Sequence, residues 1–293
     1  MKKIAIIGAG NVGQVLGYAL AKNGYQITGI VCRTSLSSER AAHLLKAPVY
    51  YQPELACREA EIIFLTTPDR VIEDVCERIA SQNGFCEGQA VLHTSGAHSS
   101  NILSSARRQG AGVLSFHPLQ TFPALDEGLR SLPGSFFAVE GDQGYYPLAL
   151  ELVRALGGKS FFIPTEMKEL YHAAACIASN YFVSLMDMAL ECFAVMGLSA
   201  EEAMAGLSPL LLSTLHNIQN LGPSGALTGP IARGDLFTLR AHLEKMETLL
   251  PELLPHYKQM ALYTAKLAVR KGTLKISEEE ELKTMLQGGI MSA

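Results

Sequence analysis

The chain of 293 residues is 48% hydrophobic and 18% charged, with a formal net charge of −4 at pH 7. That is more chain than one hydrophobic core readily fills, so two domains with a cleft are expected. The weak negative balance gives no electrostatic basis for binding nucleic acid or an anionic membrane, and any basic site must be local.

At the N-terminus the apolar run KKIAIIGAG starts at once, without the charged, apolar and cleavage-site order of an export signal, and the cytoplasm is the expected compartment. The six cysteines, Cys32, Cys57, Cys76, Cys86, Cys176 and Cys192, show no CxxC pair and no zinc-type spacing. They read as buried apolar thiols in a reducing environment, and no metal is expected.

Up to Pro164, the apolar runs IAIIG, QITGIVC, PVYY, EIIFLTT, AVLHTS and GVLSFHP are separated by helix-period stretches such as NVGQVLGYALAKNG and RVIEDVCERIASQ. SFFAVEG and KSFFIP then bracket the helical YYPLALELVRALGG. Continuous apolar runs without period-two alternation mark strands covered on both faces, which predicts a doubly wound α/β domain over residues 1–164. From 165 to 293 the pattern becomes all-helical, broken by MGLSAEEA, LGPSGALTGPIARGD and LLPELLP. Ser199 and Glu202 have capping-box spacing, and Asp235 is placed to cap LFTLRAHLEKMETLL. The longest apolar region, AAACIASNYFVSLMDMALECFAVMGL, contains Asn180, Asp187 and Glu191, which are costly in hydrocarbon, so a helix buried inside the protein is expected.

Gly8, Gly10 and Gly13 form GxGxxG directly after a strand and opening a helix. In that setting the first glycine permits a tight turn, the second lets a pyrophosphate approach the backbone and the third lets helix and strand pack closely. Backbone donors from Asn11 and Val12 are expected to add to the site. The alternative is a tight turn with no ligand. About twenty residues on, an NAD-binding fold carries an acidic residue for the ribose hydroxyls; here Cys32 and Arg33 stand there, followed by Thr34, Ser35, Ser37 and Ser38. A guanidinium with neighbouring hydroxyls suits the 2′-phosphate of NADP, against the simpler reading of a solvated arginine.

LTTPDR brings Thr66, Thr67 and Pro68 to the carboxyl edge of the sheet, along the expected path of the cofactor, with Asp69 expected to cap the next helix. Two further strand ends carry polar clusters. LHTSGAHS holds His93, Thr94, Ser95, Gly96 and His98, and SFHPLQTFP holds His117, Gln120 and Thr121. Such loops face the ligand crevice, and Ser95, Gly96, His117 and Gln120 are candidates for substrate binding. On the segment PTEMKELYHAAACIASNY, Lys168, His172 and Ser179 fall on one third of a helix circumference, with Asn180 beside them. Lys168, His172 and Asn180 are the candidate catalytic residues. The competing reading has a surface lysine and a core histidine. Arg233, in LTGPIARGD, is placed either to hold a substrate carboxylate or to pair with Asp235.

The order of GxGxxG, TPD, HTSGA, FHPLQTF, a lysine-bearing helix and LTGPIARGD resembles a bacterial family of Rossmann-like proteins with a C-terminal domain long of unknown function. More distantly the chain is similar to pyrroline-5-carboxylate reductase, ketopantoate reductase and the β-hydroxyacid dehydrogenases. The resemblance implies a helical dimerisation domain, a homodimer, and an NADPH-dependent reductase of a small carbonyl acid of the ketopantoate type, on the route to pantothenate. It also implies that Lys168 protonates the developing alkoxide, although KxxxN in those families is here KxxxH, with His172 at the asparagine position. An imine reductase of the pyrroline-5-carboxylate type and a noncatalytic NADP-binding sensor are the alternatives.

Overall fold

Alternate residues of the central strands go to opposite faces of one sheet, and both faces are covered. The computed structural model describes residues 1–287. The first compact unit, Met1–Ser179, contains β1 (Lys3–Ile7), α1 (Asn11–Lys22), β2 (Gln26–Val31), α2 (Ser35–Leu45), α3 (Pro53–Arg58), β3 (Ile62–Leu65), α4 (Ile72–Ser81), β4 (Ala90–His93) and α5 (Ser104–Arg107). There follow β5 (Gly112–Leu119), α6 (Leu125–Ser131), β6 (Phe136–Gly141), α7 (Tyr146–Ala155), β7 (Lys159–Phe162) and α8 (Lys168–Ala178). The seven-stranded sheet has the order β2-β1-β3-β4-β5-β6-β7. Ile4, Ile6, Phe64, Leu92, Leu114 and Phe116 pack on one face, and Ala5, Ile7, Ile63, Leu65, Val91 and Val113 on the other. This two-sided burial is why these strands read as unbroken apolar runs.

One expectation about the sheet is corrected, and one feature of it was not foreseen. PVYY is not a strand: Val49 makes a single bridge to Ile30, framed by Ile30 N–H to the Pro48 carbonyl at 3.0 Å and Tyr50 N–H to the Ile30 carbonyl at 2.9 Å. Pro48 has no N–H to extend the ladder, and Pro53 already opens α3. The sheet is also not wholly parallel, because β6 runs antiparallel to β5 and sets Glu140 opposite Ser115.

The division between units lies after Ser179, further along the chain than the 164/165 boundary expected, because α8 belongs with the sheet. Ser179 itself leaves the helix at φ −116° and ψ −65°. The second unit, beginning at Asn180, comprises α9 (Asn180–Val195), α10 (Ala200–Ala226), α11 (Leu236–Leu249), α12 (Leu254–Lys271) and α13 (Ile276–Gln287). Its core joins Leu239 and Leu243 to Ala261, Ala265, Ala268, Leu282 and Leu286. The Ser199–Glu202 capping box forms, and the Asp235 carboxylate accepts from Thr238 N–H at 3.0 Å. Gly222, at φ +68°, kinks α10 ahead of Pro223.

The long apolar helix is not buried. No residue of α9 is buried, and Tyr181, Phe182 and Val183 are exposed, as are Leu210, Leu212, Leu215 and Leu221 on α10. These two helices carry apolar residues around more of their circumference than their own unit covers. Thr165–Val195 is long and apolar enough to cross a membrane by length and composition alone. All six cysteines are free, but only Cys57 and Cys76 are buried; Cys32, Cys176 and Cys192 are half-buried, and Cys86, in the turn before β4, is exposed.

Candidate active site

The glycine turn after β1 is built from both its neighbours and an open side. Gly8 sits at φ +98°, and a Cβ there would lie 2.7 Å from Thr67, while a Cβ on Gly13 would lie 2.5 Å from Thr66 Oγ1. Internal packing therefore fixes these two glycines. A Cβ on Gly10 would meet nothing within 4 Å, so the chain's own packing does not demand glycine there. Gly10 is also the N-cap of α1 and offers no side-chain cap, so the first amides of α1, those of Asn11 and Val12 among them, are free to meet an anion. The Asn11 side chain is occupied elsewhere, donating to the carbonyls of Phe122 and Pro123 at 3.0 and 2.8 Å. Thr66 Oγ1 donates to the Gly8 carbonyl at 2.8 Å, and Thr67 Oγ1 is buried without a partner. Pro68 is exposed beside them.

At the end of β2, Arg33 is exposed and its guanidinium makes no hydrogen bond or ion pair among the described residues. Thr34 is the N-cap of α2, its Oγ1 accepting from Ser37 N–H at 3.3 Å and donating to Ser37 Oγ at 2.8 Å, and Ser35 opens the helix exposed. Asp69 does not cap α4. A 3-10 turn over Asp69–Val71 comes first and moves the helix start to Ile72, beyond the reach of that carboxylate. The residues present thus fit a dinucleotide phosphate at the glycine turn and a further anion at Arg33.

Across three neighbouring strands the register aligns His93 with Ser115 and Ser115 with Glu140, giving a row of three buried polar residues on one face of the sheet. Each is satisfied. His93 Nδ1 accepts from Ser95 N–H at 3.2 Å, so Nε2 carries the proton and donates to the Ser99 carbonyl at 3.2 Å. Burial, then the Lys168 charge, pushes this imidazole down to about 3 and keeps it neutral. The Glu140 carboxylate accepts from Ser100 N–H, Ser100 Oγ and Thr165 Oγ1, the last two at 2.9 and 2.8 Å.

Lys168, the first residue of α8, inserts onto the middle of this row. It is 0% exposed, its Nζ donates to Ser115 Oγ at 2.7 Å, and the ammonium lies 5.3 Å from the centre of the Tyr171 ring. Burial brings it down to about 8 against the opposing fields of Glu140, Asp69 and Glu169. One turn on, the Tyr171 hydroxyl is 2.7 Å from His117 Nδ1. Burial raises that phenol to about 12, while burial, Lys168 and His172 lower His117 to about 3, so both are neutral near pH 7. His117 and His172 lie edge to face with ring centres 6.4 Å apart. Both press on Gly96, where a Cβ would come 2.5 Å from His172 and 2.8 Å from His117 Nε2.

The first unit therefore brings together Lys168, His117, His172, Ser95 and Gly96. Ser95 Oγ accepts from Ala97 and His98 N–H, both at 3.1 Å, and so shapes its own loop. Gln120 is not part of this group: it is exposed, its amide oxygen accepts from Thr121 N–H at 2.9 Å, and its nitrogen reaches Ser131 and Ser135 at 3.4 Å. Asn180 opens α9 in the second unit, exposed, with its carbonyl accepting from Ser184 Oγ at 3.3 Å. Arg233 ends a 3-10 turn over Ile231–Arg233 in the same unit, and forms no ion pair with Asp235, whose carboxylate is taken by Thr238. Tyr171, Ser115 and Glu140 were not anticipated. Tyr171 lies three residues after Lys168, Ser115 two before His117 in a strand, and Glu140 is a lone charge in an apolar strand, so each had a signal in its spacing.

Comparison with known proteins divides the chain earlier than its compact units do, between β5 and β6. The Rossmann-like domain model matches residues 1–118, and the domain of unknown function DUF2520 matches 135–264. No curated protein matches the chain. Among solved structures, a Bacteroides fragilis protein provisionally assigned as an NADP oxidoreductase is similar at 21% identity, with 90% of this chain and 98% of that one covered and a TM-score of 0.71. An imine reductase from a Pseudomonas species is similar at 15% identity over 98% and 92%, with a TM-score of 0.63. Plasmodium falciparum pyrroline carboxylate reductase with NADP bound is similar at 11% identity over 97% and 98%, with a TM-score of 0.58. These are likenesses of fold. The chain is a Rossmann-like protein whose C-terminal part carries a DUF2520 domain.

Proposed function

We propose that the protein is an NADPH-dependent reductase acting on the C=O bond of a small carbonyl acid, of which ketopantoate is the type. The observation that carries this reading is one unit holding both an open glycine turn with a free arginine, Arg33, and a buried group able to handle protons at the carboxyl edge of the same sheet. The Gly8–Gly13 turn and the α1 amides would hold the pyrophosphate, and Arg33 with Ser35 the 2′-phosphate. When bound, the cofactor supplies the hydride; the chain supplies position, polarity and a proton. Lys168 sets a positive field at the sheet edge that favours negative charge developing on a substrate oxygen. Ser95, Gly96 and His117 line the strand ends there.

A second reading, reduction of a C=N bond, is favoured by the kinship of fold with an imine reductase and a pyrroline carboxylate reductase. The exposed apolar faces of α9 and α10 further support a homodimer formed through the helical unit. The deciding experiment follows NADPH oxidation with ketopantoate, other 2-keto acids and pyrroline-5-carboxylate. Turnover of a keto acid upholds the first reading and turnover of the cyclic imine alone upholds the second. Tight NADPH binding with no turnover of any of them identifies a binding protein and overturns both.

A further inference from the structure

A reductase must deliver a proton as well as a hydride, and the group that reaches the substrate is inferred here on the basis of the reductase reading. Lys168 has no exposed surface, and its ammonium is hydrogen-bonded to Ser115 and set against the Tyr171 ring. An incoming molecule does not meet that ammonium first. His117 is different at its two nitrogens. Nδ1 is tied to the Tyr171 hydroxyl at 2.7 Å, whereas Nε2 has no hydrogen-bond partner among the described residues. Nor is Nε2 sealed off, since Thr67 Oγ1 is the single buried, unpartnered side-chain atom among the described residues. Nε2 is thus the accessible end of a line running from Lys168 through Tyr171 to His117. The ring is held in place on its other side by Gly96, where a Cβ would come 2.8 Å from Nε2.

A neutral imidazole carries one N–H, and it gives up the proton on one nitrogen readily only when another arrives at the second. The atom on the second nitrogen is the Tyr171 oxygen. We propose that His117 Nε2 is the proton donor, that Tyr171 resupplies it through Nδ1, and that Lys168 is a positioning residue whose buried ammonium stabilises the phenolate formed in passing. The substrate oxygen or nitrogen, gaining the electron pair of the reduced double bond, takes the Nε2 proton, and the Tyr171 hydroxyl proton moves to Nδ1. The group resets when water protonates Nε2 and the Nδ1 proton returns to the phenolate oxygen. One proton is drawn from solvent in each cycle. His172, against the same face of Gly96, keeps the imidazole plane fixed and takes no proton.

Two measurements test this. In the full-length protein, with and without NADPH, two-bond ¹H–¹⁵N correlations of the imidazoles at pH 7 report the tautomer of His117. The expected result is a proton on Nε2, with a shift toward the mixed tautomer in Tyr171→Phe; a proton held on Nδ1 in the wild type, or no change in Tyr171→Phe, overturns the line. With a substrate that the wild type turns over, Tyr171→Phe is expected to lower kcat by about 10²–10⁴-fold while NADPH affinity stays within about twofold. Lys168→Met is expected to lower kcat less, with KM unchanged. Near-normal kcat in Tyr171→Phe, or a larger loss in Lys168→Met than in Tyr171→Phe, returns the donor role to the lysine. If the wild type turns over no substrate, the reductase reading fails, while the tautomer measurement still decides whether Tyr171 and His117 are wired as stated.

Discussion

Replacing Lys168 by methionine is expected to stabilise the protein at pH 7. The ammonium is completely buried, has one hydrogen bond, to Ser115, and forms no ion pair among the described residues. Burial lowers it from the usual 10.5 to about 8, with Glu140 the largest opposing influence. Below pH 8 both the folded and the unfolded chain hold the proton, so the folded state bears the whole cost of the buried cation. At about 1.36 kcal/mol for each pH interval of one, that cost is about 3 kcal/mol. Between about pH 8 and 10.5 the unfolded chain binds more protons than the folded one, so this contribution to stability rises with pH and then levels off. Methionine matches the length of the lysine stem without its charge, and leaves Ser115 short of one partner at a cost of about 1 kcal/mol. The net expectation is a gain of about 2 kcal/mol at pH 7 that vanishes toward pH 10. Urea denaturation of wild type and Lys168→Met, followed by circular dichroism at matched protein concentration from pH 7 to 10, gives the difference directly. A variant less stable than wild type at pH 7, or a difference that does not change with pH, would refute the burial of a charged Lys168.

Arg33→Ala should weaken NADPH binding about ten- to a hundredfold, the loss of one charge-assisted contact, and leave NADH binding unchanged; calorimetric titration with both cofactors checks this, and equal losses would remove Arg33 from the 2′-phosphate. Gly10→Ala should leave thermal stability near wild type because its methyl meets nothing within 4 Å, yet impair cofactor binding. Gly13→Ala, with its methyl 2.5 Å from Thr66 Oγ1, should lower stability by about 1–3 kcal/mol, so a thermal melt separates the two. Light scattering at micromolar concentration should give the mass of a dimer; a monomer would show that the α9 and α10 faces stay uncovered or meet another surface.

The alternation of apolar runs and helical stretches revealed most of the α/β unit because strands covered on both faces have a composition of their own. The same signal failed at PVYY, where proline limits pairing to one bridge, and it is blind to direction, so the antiparallel β6 was not foreseen. Gly8 and Gly13 were legible because the packing that demands glycine there is set by the strand-to-helix turn itself. The group around Lys168 was only half visible. Its helix spacing linked Lys168 to His172, but the contact with Ser115 spans 53 positions of sequence, and the pairing of Tyr171 with His117 spans 54. Both depend on how α8 docks on β5, which no local pattern specifies. Apolar content likewise suggested that α9 was buried, although composition cannot tell an interior helix from one whose apolar face is turned outward.

The placement of α8 in the first unit ties the buried contacts of Lys168 and Thr165 to the sheet. A chain ending at Pro164 would keep the glycine turn but strip Ser115 of its ammonium partner and Glu140 of the Thr165 hydroxyl, leaving a buried carboxylate underpaired. A chain ending at Ser179 would keep every one of these contacts. The glycine turn and the buried Lys168 contacts are therefore encoded within a single stretch of chain, residues 1–179.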